Sequence, residues 1–163
     1  LPLSPVRVPA KNGSRHERPS MIPSVAVLEV PLDAAALRGE ARDPGAGAVV
    51  VFEGCARDHH EGRAVSGLAY EAFVPMALAE LEKLRAEAVA RFALVRCLIH
   101  HRIGAVPLTE AAVVVVTASP HRREAFEAAM WIMDRIKERV PVWKRERFAE
   151  GGTGWVEGQQ LVP

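Results

Sequence analysis

Two stretches of the chain are apolar almost without interruption, and two others repeat apolar residues at three- and four-residue steps. Residues 45–54, G-A-G-A-V-V-V-F-E-G, and 111–118, A-A-V-V-V-V-T-A, read as strands buried on both faces, and the first is expected to be central in its sheet. Residues 75–92 read as a helix opened by Pro75, with Ala77, Leu81, Leu84 and Ala88 on one face and Glu80, Lys83, Glu87 and Arg91 on a solvated one. A second long helix is expected over 119–140. Ser119 suits its N-cap and Pro120 its first position, while Phe126, Ala129, Met130, Met133, Ile136 and Val140 form its apolar face. Pro141 stops it by pushing Val140 out of the helical region.

Weaker signals fill the gaps. Residues 24–30 and 94–101 read as strands, and Asp33 can cap a short helix through Leu37. Residues 66–73 alternate Leu68, Tyr70 and Ala72 against Ala69, Glu71 and Phe73, as an antiparallel strand would. Residues 55–64 form a polar loop, residues 104–109 turn the chain, and the residues after Pro141 continue as an extended segment. The order predicts an α+β domain, a two-layer mixed sheet with helices on one side. Strand order stays open.

Residues 1–20 contain four prolines and no apolar period, so they are expected to be a flexible N-terminal extension. Met21 would then be the natural start, with the domain over 21–158 and a tail over 159–163. At 163 residues, 49% hydrophobic and 25% charged, the chain needs no disulfide or metal staple. A net charge of +1 argues against a nucleic-acid-binding surface. No run approaches the roughly 20 apolar residues of a membrane span. Cys55 and Cys97 form no ligand-spaced pattern, which fits a reduced, cytoplasmic setting.

Charge changes the picture at one place. His121, Arg122 and Arg123 fall in the first turn of a helix, where the macrodipole disfavours cations by roughly 0.3 to 1 kcal/mol each. An anion at that helix start would offset the cost; side chains pointing into water are the alternative. Lys137 and Arg139 lie in the last turn, where cations are favoured, and Lys144 follows the proline stop. Arg57, His59, His60 and Arg63 share one loop, while His100, His101 and Arg102 share a strand end. If these ends converge, they make a phosphate or carboxylate receptor. Adjacent histidines on a strand face opposite ways, so a metal site is disfavoured. Lys137 and Lys144, brought together in a partly buried site, could serve as nucleophile or general acid/base; taken singly, each reads as a surface lysine. Cys55 beside Arg57 reads first as a small apolar residue at a strand end and second as an activated thiolate.

With these residues assembled, the chain resembles the large, catalytic subunit family of molybdopterin synthase. The motifs are G-A-V-V-V-F-E-G-C-A-R-D-H, Y-E-A-F, H-R-I-G, S-P-H-R-R-E-A-F-E-A, I-K-E-R-V-P-V-W-K-R-E and W-V-E, in order over residues 45–157. The resemblance implies an α/β-hammerhead type of fold. It also implies a homodimer of large subunits within a heterotetramer, one small ubiquitin-like sulfur-carrier subunit sitting at each end. That subunit's C-terminal Gly-Gly thiocarboxylate would deliver sulfur twice to cyclic pyranopterin monophosphate, making the molybdopterin dithiolene without metal or redox cofactor. On the same grounds Lys137 and Lys144 are the expected catalytic residues. Arg57, His121, Arg122, Arg145 and Glu146 are expected, with the two lysines, to bind substrate. The loop reads R-D-H-H where members often place asparagines, Cys55 stands where they lack a cysteine, and Thr153-Gly154 precede Trp155 without the basic residue some members carry. Two rivals use the same residues. One is a non-catalytic phosphate-ligand binding or regulatory module; the other is a persulfide carrier, which Cys55→Ser would abolish.

Overall fold

The computed structural model describes residues 22–156, so residues 1–20, Met21, Glu157 and the 159–163 tail lie outside the described residues. The elements are β1 (Val25–Leu28), α1 (Ala34–Glu40), β2 (Ala48–Cys55), β3 (His59–His60), β4 (Arg63–Ala72), α2 (Val74–Phe92), β5 (Arg96–Arg102), β6 (Gly104–Val106), β7 (Ala111–Ser119), α3 (Arg122–Arg139), β8 (Val142–Phe148) and β9 (Thr153–Trp155). Four strands pair in the order β1-β5-β7-β2, β1 parallel to β5 and the rest antiparallel. A second sheet runs β3-β4-β8-β9, with β6 also paired to β4. The α+β, two-layer mixed-sheet expectation therefore holds, with the strands divided between two sheets.

The fully apolar β7 is buried at every position and lies between β5 and β2. Its alternate residues feed two cores. Val113 and Val115, with Cys97 and Ile99 of β5, meet Leu81, Leu84 and Ala88 of α2 and Ala128, Ile132 and Ile136 of α3. Val114, Val116 and Ala118, with Leu98, meet Leu37 and Ala41 at α1. The two long helices thus share one face of this sheet, and short α1 covers the other, so the helices do not all lie on one side as expected: both faces of β7 are apolar and each needs cover. A third cluster of Ala56, Val65, Leu68, Val106 and Ala112 joins the second sheet to the end of the first.

Residues 45–54 do not supply a central strand. β2 is the edge of its sheet, and its Val49 and Phe52 are exposed. A continuous apolar run has no period, so it looks the same at a sheet centre as at an edge whose apolar side chains stay partly uncovered.

The α3 boundary also shifts. Ser119 remains the last residue of β7, paired with Ala48, and His121 takes the N-cap position in extended conformation. Ser119 Oγ donates to the His121 carbonyl (2.9 Å) and accepts from the His121 N–H (3.3 Å), so the hydroxyl shapes the turn into the helix. The buried face is Ala125, Ala128, Ala129, Ile132 and Ile136, while Phe126 and Met130 are 61% and 70% exposed. Alanines spaced three and four apart let α3 lie close on β7, where Thr117 Oγ1 donates to the Ala125 carbonyl (2.7 Å). That rotation leaves the two larger side chains outside.

Candidate functional site

β8 begins where Pro141 ends α3, and it carries Lys144, Arg145 and Glu146 opposite Tyr70, Ala69 and Leu68 of β4. Side chains alternate along a strand, so Lys144 and Glu146 share one face and Arg145 takes the other. Glu146 has a side chain only 3% exposed. One of its oxygens, Oε1, lies 3.1 Å from Lys144 Nζ, and the other, Oε2, lies 3.0 Å from His60 Nδ1. Tyr70, opposite Lys144, is partly buried; desolvation first and the Glu146 charge second push its hydroxyl up to about 12. Its ring meets His101 edge-on at 5.2 Å between centroids. Burial holds the His101 imidazole down at about 4, partly countered by its hydrogen bond to the Arg102 carbonyl (2.8 Å).

Glu146 also lines a cavity of about 430 Å³ with His60, Arg63, Phe148, Trp155 and the glycine-rich turn over 151–154. Arg145 is not in it. Its guanidinium pairs with Glu71 (3.6 Å) and sits over the Trp155 ring (5.4 Å), which braces the β8–β9 hairpin.

Lys137 stands exposed in the last turn of α3 and makes no ion pair with a described residue. Arg57 is likewise exposed and unpaired among the described residues, just past β2, where Ala56 donates to the Glu110 carbonyl (3.0 Å). Because β2 and β7 are antiparallel and α3 runs back along them, Arg57, Lys137 and the Lys144–Glu146 pair gather toward the end of the domain where β7 starts.

His121 and Arg122 lie at the other end. They line an open cleft of about 810 Å³ with Gly47, Pro120, Arg123 and Phe126. Neither has an ionic partner among the described residues, whereas Arg123 pairs with Glu127 (3.6 Å). No side chain caps the first turn, so its backbone N–H groups face the cleft side uncapped, and Glu124 is the acidic residue there. A Cβ on Gly47 would collide with the Pro120 carbonyl, so this approach of β2 to the helix start requires glycine. From Arg122 to Lys137 the helix rises about 22 Å at 1.5 Å per residue. One chain therefore does not bring these two cationic groups together.

His100 and His101 are satisfied structural histidines, the first through the Pro23 carbonyl (2.7 Å). Cys55 is free, and burial together with Glu53 raises its thiol, opposite to what an activated thiolate needs. Among the described residues no group of three or more His, Cys, Asp and Glu could hold a metal ion, and no helix is long and apolar enough to cross a membrane. The His60–Glu146 bond was invisible to sequence reasoning. It joins residues 86 apart and has no local pattern.

A family described as MoaE protein matches residues 27–139. The molybdopterin synthase catalytic subunit of Pyrococcus abyssi is 50% identical over 117 residues, covering 72% of this chain and 78% of that protein. The same-named protein of Aspergillus fumigatus is 44% identical over 117 residues, and there the match spans 72% of this chain but only 62% of the fungal protein. The crystal structure of molybdopterin synthase from Staphylococcus aureus superimposes with a TM-score of 0.78 at 32% identity, covering 83% of this chain and 98% of that one.

Proposed function

The chain belongs to the MoaE protein family, and from that premise we propose that it is the catalytic subunit of a molybdopterin synthase. In this reading it transfers sulfur from the C-terminal thiocarboxylate of a small ubiquitin-like subunit to cyclic pyranopterin monophosphate. Two such transfers make the dithiolene of molybdopterin. The observation that carries the reading beyond family membership is the pair of cationic half-sites at the two ends of α3. Arg57, His121, Arg122 and Lys137 are exposed without carboxylate partners among the described residues, the state expected of groups that await an anion.

Arg57, His121 and Arg122 hold the phosphate and pterin, His121 and Arg122 doing so with the uncapped N–H groups of α3. Lys137 acts as acid/base or transient acyl acceptor beside the thiocarboxylate. Lys144, fixed by Glu146, assists it. Arg145, tied to Glu71 and Trp155, shapes the hairpin around them. The small subunit's extended tail enters by the cavity beside Glu146, whose lining includes His60 and the glycine-rich turn over 151–154.

A separation of about 22 Å exceeds the reach of one pterin, so a complete site needs two copies of the chain, the α3 start of one meeting the α3 end of the other. Exposed Phe126 and Met130 on α3, with Val49 and Phe52 on the edge strand β2, supply apolar surface for that dimer. A reduced, cytoplasmic setting belongs to the same proposal and agrees with free Cys55 and Cys97.

The test mixes the protein with a thiocarboxylated small subunit and cyclic pyranopterin monophosphate and follows dithiolene formation. Wild type is expected to form product and Lys137→Ala to lose at least about 100-fold in rate, a catalytic group's share. Lys137 is exposed, so its stability should change by less than about 0.5 kcal/mol. Full activity in Lys137→Ala would remove the lysine from the mechanism. Ligand binding without product from wild type would favour the non-catalytic module.

A further inference from the structure

Resting on the sulfur-transfer reading above, we propose that His60 is a positioning residue for Lys144, acting through the carboxylate that both hold. Glu146 gives one oxygen to each: Oε2 to His60 Nδ1 at 3.0 Å and Oε1 to Lys144 Nζ at 3.1 Å. At 3% exposure the carboxylate has almost no water to satisfy it, so its direction is set by these two partners. A lysine ammonium on a flexible four-carbon stem is placed only as well as its counter-ion is.

His60 is placed by backbone geometry. It belongs to a two-residue strand registered on β4 through His59↔Ala64 and His60↔Arg63. The turn between them is Glu61 (φ 48°) and Gly62 (φ 78°), the two left-handed residues that a type I′ hairpin requires. Nδ1 therefore reaches Glu146 from a rigid hairpin, while Lys144 arrives from β8. The carboxylate is clamped between two independent elements.

His60 donates Nδ1–H to one Glu146 oxygen, which leaves the other oxygen to hold Lys144. Around this pair, Glu61 lies on the turn and Tyr70 on β4. Arg63 is occupied by Glu150 (2.6 Å) and lies over Phe148, and the neighbouring His59 turns to Asp58 (2.7 Å). Among the described residues, Glu146 is the charged group hydrogen-bonded to His60.

The test uses the full chain with thiocarboxylated small subunit and cyclic pyranopterin monophosphate, measuring single-turnover sulfur transfer. His60→Asn keeps an N–H donor and His60→Ala removes it. His60→Ala should lose about tenfold in rate, and His60→Asn should recover to within about twofold of wild type. Equal rates in His60→Ala and wild type, or equal losses in the two variants, would overturn the proposal.

A second measurement does not depend on turnover. Lysines are dimethylated with 13C-formaldehyde, the Lys144 methyl signal is assigned with Lys144→Arg, and its shift is compared among wild type, His60→Ala and His60→Asn. A shift displaced in His60→Ala and restored in His60→Asn is expected; the same shift in all three overturns the link. If the shift behaves as expected while wild type transfers no sulfur, the positioning link stands and the functional reading fails.

Discussion

Arg122 and Lys137 stand in the first and last turns of the same helix, α3, and neither has an ionic partner among the described residues. About 22 Å of helix separates them, so both can serve one small anion only when they come from different copies of the chain.

That arrangement predicts complementation. Arg122→Ala and Lys137→Ala dimers should each be nearly inactive. Co-refolded in equal amounts, they should recover about a quarter of wild-type sulfur transfer, since half the dimers are mixed and each mixed dimer has one intact site. Rates from the two proteins mixed without and with subunit exchange provide the check. No recovery after confirmed exchange would place both cations in separate sites.

The Lys144–Glu146 contact predicts a charge effect at nearly constant shape. Glu146→Gln should reduce sulfur transfer about tenfold and lower unfolding free energy by about 1 to 2 kcal/mol, the worth of a charge-assisted hydrogen bond. Urea denaturation and single-turnover rates on the same preparations separate the two losses. Unchanged activity with reduced stability would confine Glu146 to a structural role.

His101 predicts acid sensitivity. Its folded value of about 4 lies below the ordinary 6.5, so the unfolded chain binds the proton more readily. Stability from this group is present above about pH 6.5 and is lost as pH falls through about 4. The loss is of order 3 kcal/mol, from a depression of about 2.5 units at about 1.4 kcal/mol each. His101→Gln, which can still donate to the Arg102 carbonyl, should flatten unfolding free energy over this window. An unchanged slope in chemical denaturation from pH 7 to 4.5 would assign the acid sensitivity to other groups.

Much of the fold was legible because period and punctuation are local. The face of α2 at Ala77, Leu81, Leu84 and Ala88 is the buried one, and Pro141 ends α3 with Val140 extended. The extended segment after Pro141 became β8, and the strand expected over 66–73 became β4, lengthened at its start by the hairpin turn. The rotation of α3 was less legible. Bulk pointed to Phe126 and Met130, but close packing on β7 selected the alanines.

From its residues alone the chain determined its three helices and longer strands, in order, and the cations to be considered for an anion, because helix period, caps and prolines act within a few residues; the short strands β3, β6 and β9 lie in stretches without such a signal. Its tertiary structure decided that β2 is an edge, that Lys144 and His60 share Glu146, and that Arg122 and Lys137 are a helix length apart. Those relations depend on how strands are ordered and on how helices lie across them. Strand order is set by the burial of whole faces, a property of the folded chain that no short window of sequence contains.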